Sequence, residues 1–268
     1  MSPDLPEFPG LLPCAGPEAM GWRRLADLPL VVVVGVTGVG KSTALSALRG
    51  VNVLPDRRAL TDALIIGPQL EGREELASLD REERFRLTGL YRYTHPGGMA
   101  EALGVLCADE GRWPAPLLFD GLRGADEVGY ALERFPDWRF ISLSAPDEVR
   151  VRRLLGRRDR FDALAGSEDR PAESRPVPTQ LYGELEALNA DAGVFMAEEL
   201  DRLAWLPAEG YAPAGVIAAT RIVLSERRQY DPQAARALLA GHSPFKVLDL
   251  DTLALSPDEV AGRIRAWL

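Results

Sequence analysis

The chain has 268 residues, enough for one large α/β domain, or a core with an inserted lid, around a sizeable buried interior. Forty acidic residues against thirty-one basic ones give a net charge of −9, which disfavours a nucleic-acid scaffold or a membrane surface as the main partner. Cys14 and Cys107 are its only cysteines, too few for a disulfide framework, so the expected setting is a reducing cytoplasm.

The N-terminus reads Met1-Ser2-Pro3-Asp4-Leu5-Pro6, acidic and broken by proline, without the basic start and apolar run of a secretory signal. Residues 1–27 carry Pro3, Pro6, Pro9, Pro13 and Pro17 and show little periodicity, which predicts an extended arm laid on the surface or left mobile. From residue 28 strand-like and helix-like segments alternate, the pattern of a mainly parallel sheet with helices on both faces, in a domain spanning 28–268. The apolar run 28–36 is far shorter than the ~20 residues of a membrane helix. It reads instead as a central strand buried on both sides.

That strand flows into Gly35-Val36-Thr37-Gly38-Val39-Gly40-Lys41-Ser42-Thr43, the spacing G-x-x-x-x-G-K-[ST] of a phosphate-binding P-loop. The pattern requires a strand before it and a helix after it, and good helix formers follow from Ala44 to Leu48. Glycines let successive N–H groups turn inward onto phosphate oxygens, and the helix start adds its positive end. Lys41 is then expected to reach the β- and γ-phosphates, and the Ser42 hydroxyl to ligate Mg²⁺.

Residues 52–111 form the candidate acceptor region. The stretch Val51 to Ile66, interrupted by a polar break at Asp56-Arg57-Arg58, is expected to hold the second strand. A charged helix over 73–92 and a turn at Thr94-His95-Pro96-Gly97-Gly98 lead into a helix ending near Gly111. Arg57, Arg58, Asp62 and His95 are candidates for gripping an acceptor, Asp62 also for polarising a hydroxyl. Each has a plainer reading, as a cap, a surface charge or part of a turn.

The strand 116–120 ends in Asp120-Gly121, where an aspartate at a strand end would organise Mg²⁺. Arg123 and Glu127 follow closely enough to line the same carboxyl edge of the sheet, where open α/β folds bind ligands. A strand over 138–144 and a basic helix over 147–158 come next. Arg150 and Arg152 read as a solvated basic face, whereas Arg153 and Arg157 suit nucleotide contact through planar guanidinium forks. Residues 159–180 are rich in charge, Pro, Ser and Gly, and 181–206 returns to helical periodicity, together a lid-like insertion. The stretch 226–232 reads as a helix-capping turn. A last strand near 247–250 and a helix opened by Ser256-Pro257-Asp258-Glu259 complete the chain.

The segments Ser144-Ala145-Pro146-Asp147-Glu148-Val149 and Arg153-Leu154-Leu155-Gly156-Arg157-Arg158, with the P-loop and Phe119-Asp120-Gly121, resemble adenylate-kinase-like nucleoside monophosphate kinases. The run Asp120 to Val128 also resembles small archaeal adenylate-kinase-related and dephospho-coenzyme-A-kinase-like proteins. Such a resemblance implies a three-layer P-loop NTPase fold with a helical lid, ATP and Mg²⁺ as ligands, and γ-phosphoryl transfer to a small, nucleotide-like or phosphorylated acceptor. It places Arg153 on the adenine and gives Lys41, Asp120 and Arg157 the catalytic roles, with Ser42 and Asp120 at the metal. Where the group carries an arginine after an aspartate-glycine-x-proline run, no proline follows here and Arg123 sits one position early. An ATPase or nucleotide-dependent switch acting on a protein partner is the second reading. A GTPase is disfavoured, since Asn52 and Asn189 are the only asparagines and no Asn-Lys-x-Asp motif exists. The identity of the acceptor and the oligomeric state are not legible in the sequence.

Overall fold

The structure, a computed structural model, describes residues 8–14, 20–46, 48, 50–70, 76, 78–156 and 178–268. Its strands are β1 (Leu11–Pro13), β2 (Trp22–Arg24), β3 (Leu30–Val34), β4 (Asn52–Val53), β5 (Leu106–Asp109), β6 (Leu117–Leu122), β7 (Arg139–Ser144) and β8 (Val247–Asp251). Its α-helices are α1 (Lys41–Ser46), α2 (Arg57–Thr61), α3 (Arg81–Thr94), α4 (Gly98–Gly104), α5 (Ala125–Arg134), α6 (Asp147–Leu155), α7 (Pro178–Asn189), α8 (Ala197–Ala204), α9 (Pro213–Gln229), α10 (Pro232–Ala240) and α11 (Pro257–Trp267).

Five strands form an all-parallel sheet in the order β4-β6-β3-β7-β8. β3 occupies the centre because all five of its residues are apolar and buried, which suits a strand covered on both faces. Alternation then sorts the side chains between two cores. Val32, Val34, Leu117, Phe119 and Phe140 face a layer that includes α4, α5 and α10, while Val31, Val33, Leu118 and Ile141 face α1 and α11. A third apolar cluster joins Val151 and Leu154 of α6 to α7, α8 and α9.

The N-terminal segment departs from the surface arm expected of it. β1 and β2 pair antiparallel with the two sides of β5, and Leu11 and Leu25 are fully buried. Leu11 and Leu25 lie in the main core, and Pro13 ends a short strand rather than keeping the chain outside. The helix expected to run to Gly111 stops at Gly104, and Leu106 to Asp109 becomes the middle strand of this small sheet. Cys14 and Cys107 form a disulfide across it, with Cα atoms 5.4 Å apart. The two cysteines judged too few for a disulfide framework thus make a single bridge, at odds with the reducing setting expected of them, because strand pairing brings together residues 93 positions apart in sequence. No described helix is long and apolar enough to cross a membrane.

The expected second strand is only the edge pair Asn52–Val53. Asp56 caps α2, accepting from the N–H groups of Arg58 and Ala59. Tyr230 and Asp231 link α9 to α10, and Asp231 caps α10, accepting from the Ala234 N–H. Ser256 and Glu259 form the reciprocal cap of α11. Of the lid-like insertion, Pro178–Asn189 and Ala197–Ala204 are helices, while 159–177 and Arg157 lie outside the described residues.

Candidate functional site

The glycine-rich loop leaves the carboxyl end of β3 and is tied to β6 at its start. Val33 stands opposite Asp120, the register then slips so that Val34 stands opposite Leu122, and the Gly35 N–H donates to the Leu122 carbonyl at 3.0 Å. The slip passes over Gly121, where a side chain would not fit: a Cβ there would lie 2.7 Å from the Arg57 Cβ. Asp120 is thus set beside the mouth of the loop. Gly38 has φ 87° and rests against α6 so closely that a Cβ would meet the Arg150 backbone at about 3.1 Å. Only glycine satisfies both conditions.

The Lys41 ammonium donates to the Gly35 carbonyl at 2.9 Å and the Val36 carbonyl at 3.2 Å, and lies 3.9 Å from the Asp120 carboxylate. A cation is therefore fixed at the start of the loop with a carboxylate at hand. Gly38, Gly40, Ser42 and Thr43 line a cavity of about 340 Å³ whose other walls include Arg153, Leu255 and Val260. Arg153 donates to the Gly38 carbonyl at 3.3 Å, the Thr252 hydroxyl at 2.8 Å and the Thr252 carbonyl at 2.7 Å. This locks its guanidinium across the cavity wall. Burial lowers the Arg153 pKa, and Asp251 works against that shift.

Two buried carboxylates organise the arginines around the loop. Glu127 takes a bidentate pair from Arg57, at 2.6 and 2.9 Å, and also accepts from the backbone N–H groups of Arg123 at 3.0 Å and Met99 at 3.4 Å. Arg57 donates further to the Gly121 carbonyl and, at 3.4 Å, to the Tyr230 hydroxyl. Burial opposes the charge on both partners, but the pairing outweighs it: the Arg57 pKa is raised and the Glu127 pKa lowered. Arg57 thus secures the segment after Asp120 from below.

Glu226 of α9 is the second hub. It accepts from the Thr37 N–H at 3.0 Å, the Thr37 hydroxyl, Arg123 at 2.9 Å and Arg150 at 2.5 Å. Arg150 also donates to the Thr37 carbonyl at 2.8 Å and to Asp147. Burial alone would raise the Glu226 pKa, yet Arg123, Arg150, Thr37 and Lys41 together hold it below the usual carboxylate range. Arg150 is fully buried, which corrects the solvated face expected of it. Arg152 stays partly exposed and pairs with Glu148 and Glu209.

The other acceptor candidates are dispersed. Arg58 is exposed on α2, Asp62 pairs with Arg84, and His95 stacks on Tyr91 with ring centroids 4.2 Å apart. Arg123 alone among them stands at the loop, and Arg57, Arg92 and Arg123 all lie within about 6 Å of the Tyr230 ring. Glu226 is the residue that sequence reasoning missed. Its position signals burial, because Ala219, Val223 and Glu226 follow i, i+4, i+7 along one helix face and all three are buried.

Ser42 and Asp120 are hard oxygen donors of the kind Mg²⁺ takes while keeping several waters. Among the described residues no group of three or more His, Cys, Asp or Glu is arranged to hold a metal ion. No protein-family model matches the chain, and neither does any curated protein.

Proposed function

We propose that the chain is a P-loop phosphotransferase that moves the γ-phosphoryl of ATP to a small anionic acceptor. The observation that carries this reading is Lys41, whose ammonium rests on the first two carbonyls of the glycine-rich loop with Asp120 3.9 Å away. A lysine fixed there meets the β- and γ-phosphates without reorganising, the condition under which electrostatic stabilisation of a transition state is strongest. The loop N–H groups would hold the phosphate chain, and the cavity between Arg153 and Leu255 offers a cationic plane and an apolar wall for a base. Mg²⁺, held jointly by Ser42, Asp120 and the phosphates, would neutralise charge on the β- and γ-oxygens.

Arg123 is the chain's best-placed grip for the acceptor's negative charge. Its side chain is 27% exposed beside the loop, and its buried Nε has no hydrogen-bond partner among the described residues. Arg57, already committed to Glu127, serves as its support. Arg157 retains its proposed role on the lid side through the resemblance alone. A nucleotide-dependent switch is the second reading, favoured by the link from Thr37 to the helical bundle through Glu226.

Replacing Lys41 with Ala should lower phosphoryl transfer by about 10²–10³-fold, the scale of losing one transition-state donor, with the circular-dichroism spectrum unchanged. ATP turnover measured alone and with a panel of phosphorylated small molecules separates the two readings. Strong stimulation by one panel member supports a kinase, and turnover raised only by a protein partner supports a switch. Wild-type turnover retained by Lys41→Ala would falsify both.

A further inference from the structure

Glu226 is 2% exposed and meets a loop 189 residues away in sequence. A buried carboxylate is an expensive way to fasten a helix to a loop, since apolar residues of similar volume would hold as well or better. Its negative charge therefore calls for an explanation. Its donors are a backbone N–H, a hydroxyl and two guanidinium groups, the groups that also recognise phosphate oxygens.

The donors differ in how firmly they are held. Arg150 is fully buried and engaged with Thr37, Asp147 and Glu226. Arg123 is partly exposed, with an unpartnered Nε and one contact to Glu226. Lys41 marks where the phosphate end belongs, because its ammonium sits on the Val36 carbonyl, next to Thr37.

We propose that Glu226 is a positioning residue that competes with the terminal phosphate of the nucleotide for Arg123 and the Thr37 corner, so that the protein tells ATP from ADP through this carboxylate. The proposal rests on the nucleotide-binding reading above. An arriving γ-phosphate draws Arg123 off Glu226 and shares its guanidinium with the charge of the acceptor, while Arg150 keeps Glu226 paired. Because α9 packs with α6, α7 and α8 in one apolar cluster, the exchange also loosens the tie between that bundle and the loop.

The test is calorimetric titration of the full chain with ADP and with the β,γ-imido analogue of ATP, both in Mg²⁺. Arg123→Gln should weaken the analogue about tenfold, as expected for one charge-assisted hydrogen bond, and leave ADP within about twofold. Glu226→Gln should tighten the analogue relative to ADP, and the double variant should lose that gain. Equal shifts for both nucleotides would show a merely structural role and overturn the proposal. If Glu226→Gln does not fold, Arg123→Gln decides alone, since it keeps the buried Glu226–Arg150 pair. A wild-type chain that binds neither nucleotide overturns the nucleotide reading itself, a result distinct from parallel shifts in the variants.

Discussion

Glu127 and Glu226 show how single residues hold the rim of the loop, and both depend on remaining ionised. Each has its pKa lowered, because the arginines outweigh the burial that would raise it. The sign follows: above the unfolded carboxylate value of about 4.3 their stabilisation is fully present, and it is lost as pH falls through the lower folded values. Urea midpoints measured between pH 7 and pH 3 should fall steeply below about pH 4, and Glu127→Gln should flatten that fall. Glu127→Ala, which leaves Arg57 buried without its partner, should cost about 3–5 kcal/mol. At this scale the spacing of the glycine-rich loop singles out Lys41 and Ser42, and the fold sets Asp120 and Arg153 beside that loop. The sequence could not expose Glu226 as a partner of Thr37, since that contact is made between two separately folded elements.

The elements were legible where one physical cause dominates. The valine run of β3 and the Ser256 cap each produce the structure that their composition requires, whereas the strand expected to end at Asp120-Gly121 continues to Leu122. The N-terminal strands and β5 were not legible. Three- and four-residue strands have too little periodicity to register, and their identity comes from pairing with one another. The Cys14–Cys107 bridge locks that pairing, and a cross-link closing so long a loop typically contributes about 2–4 kcal/mol. Cys14→Ser should therefore lower the thermal midpoint by roughly 5–15 °C. Reductant should produce a similar drop in the wild type and no further drop in the variant.

The described residues form three apolar clusters, two on opposite faces of the parallel sheet and one belonging to α6, α7, α8 and α9. A bundle with its own core can open without dissolving the sheet. Leu185 is fully buried in that bundle, and Leu185→Ala should cost about 2–5 kcal/mol. Amide exchange should then accelerate over 181–224 while 30–34 and 117–122 keep their protection; uniform acceleration would show that the three clusters unfold as one. Such independence is what a loop-to-bundle contact such as Thr37–Glu226 needs if nucleotide binding is to be felt elsewhere.

The bridge between Cys14 and Cys107 also makes a covalent ring of everything between them, including the loop at 35–43, the capped helix at 57–61 and the long helix at 81–94. A protease that cuts once inside the ring produces two polypeptides that the disulfide still holds as one molecule. Outside the ring, a single cut in 108–268 divides the chain outright. The segment richest in candidate binding residues is thus the part of the protein best insured against a broken backbone.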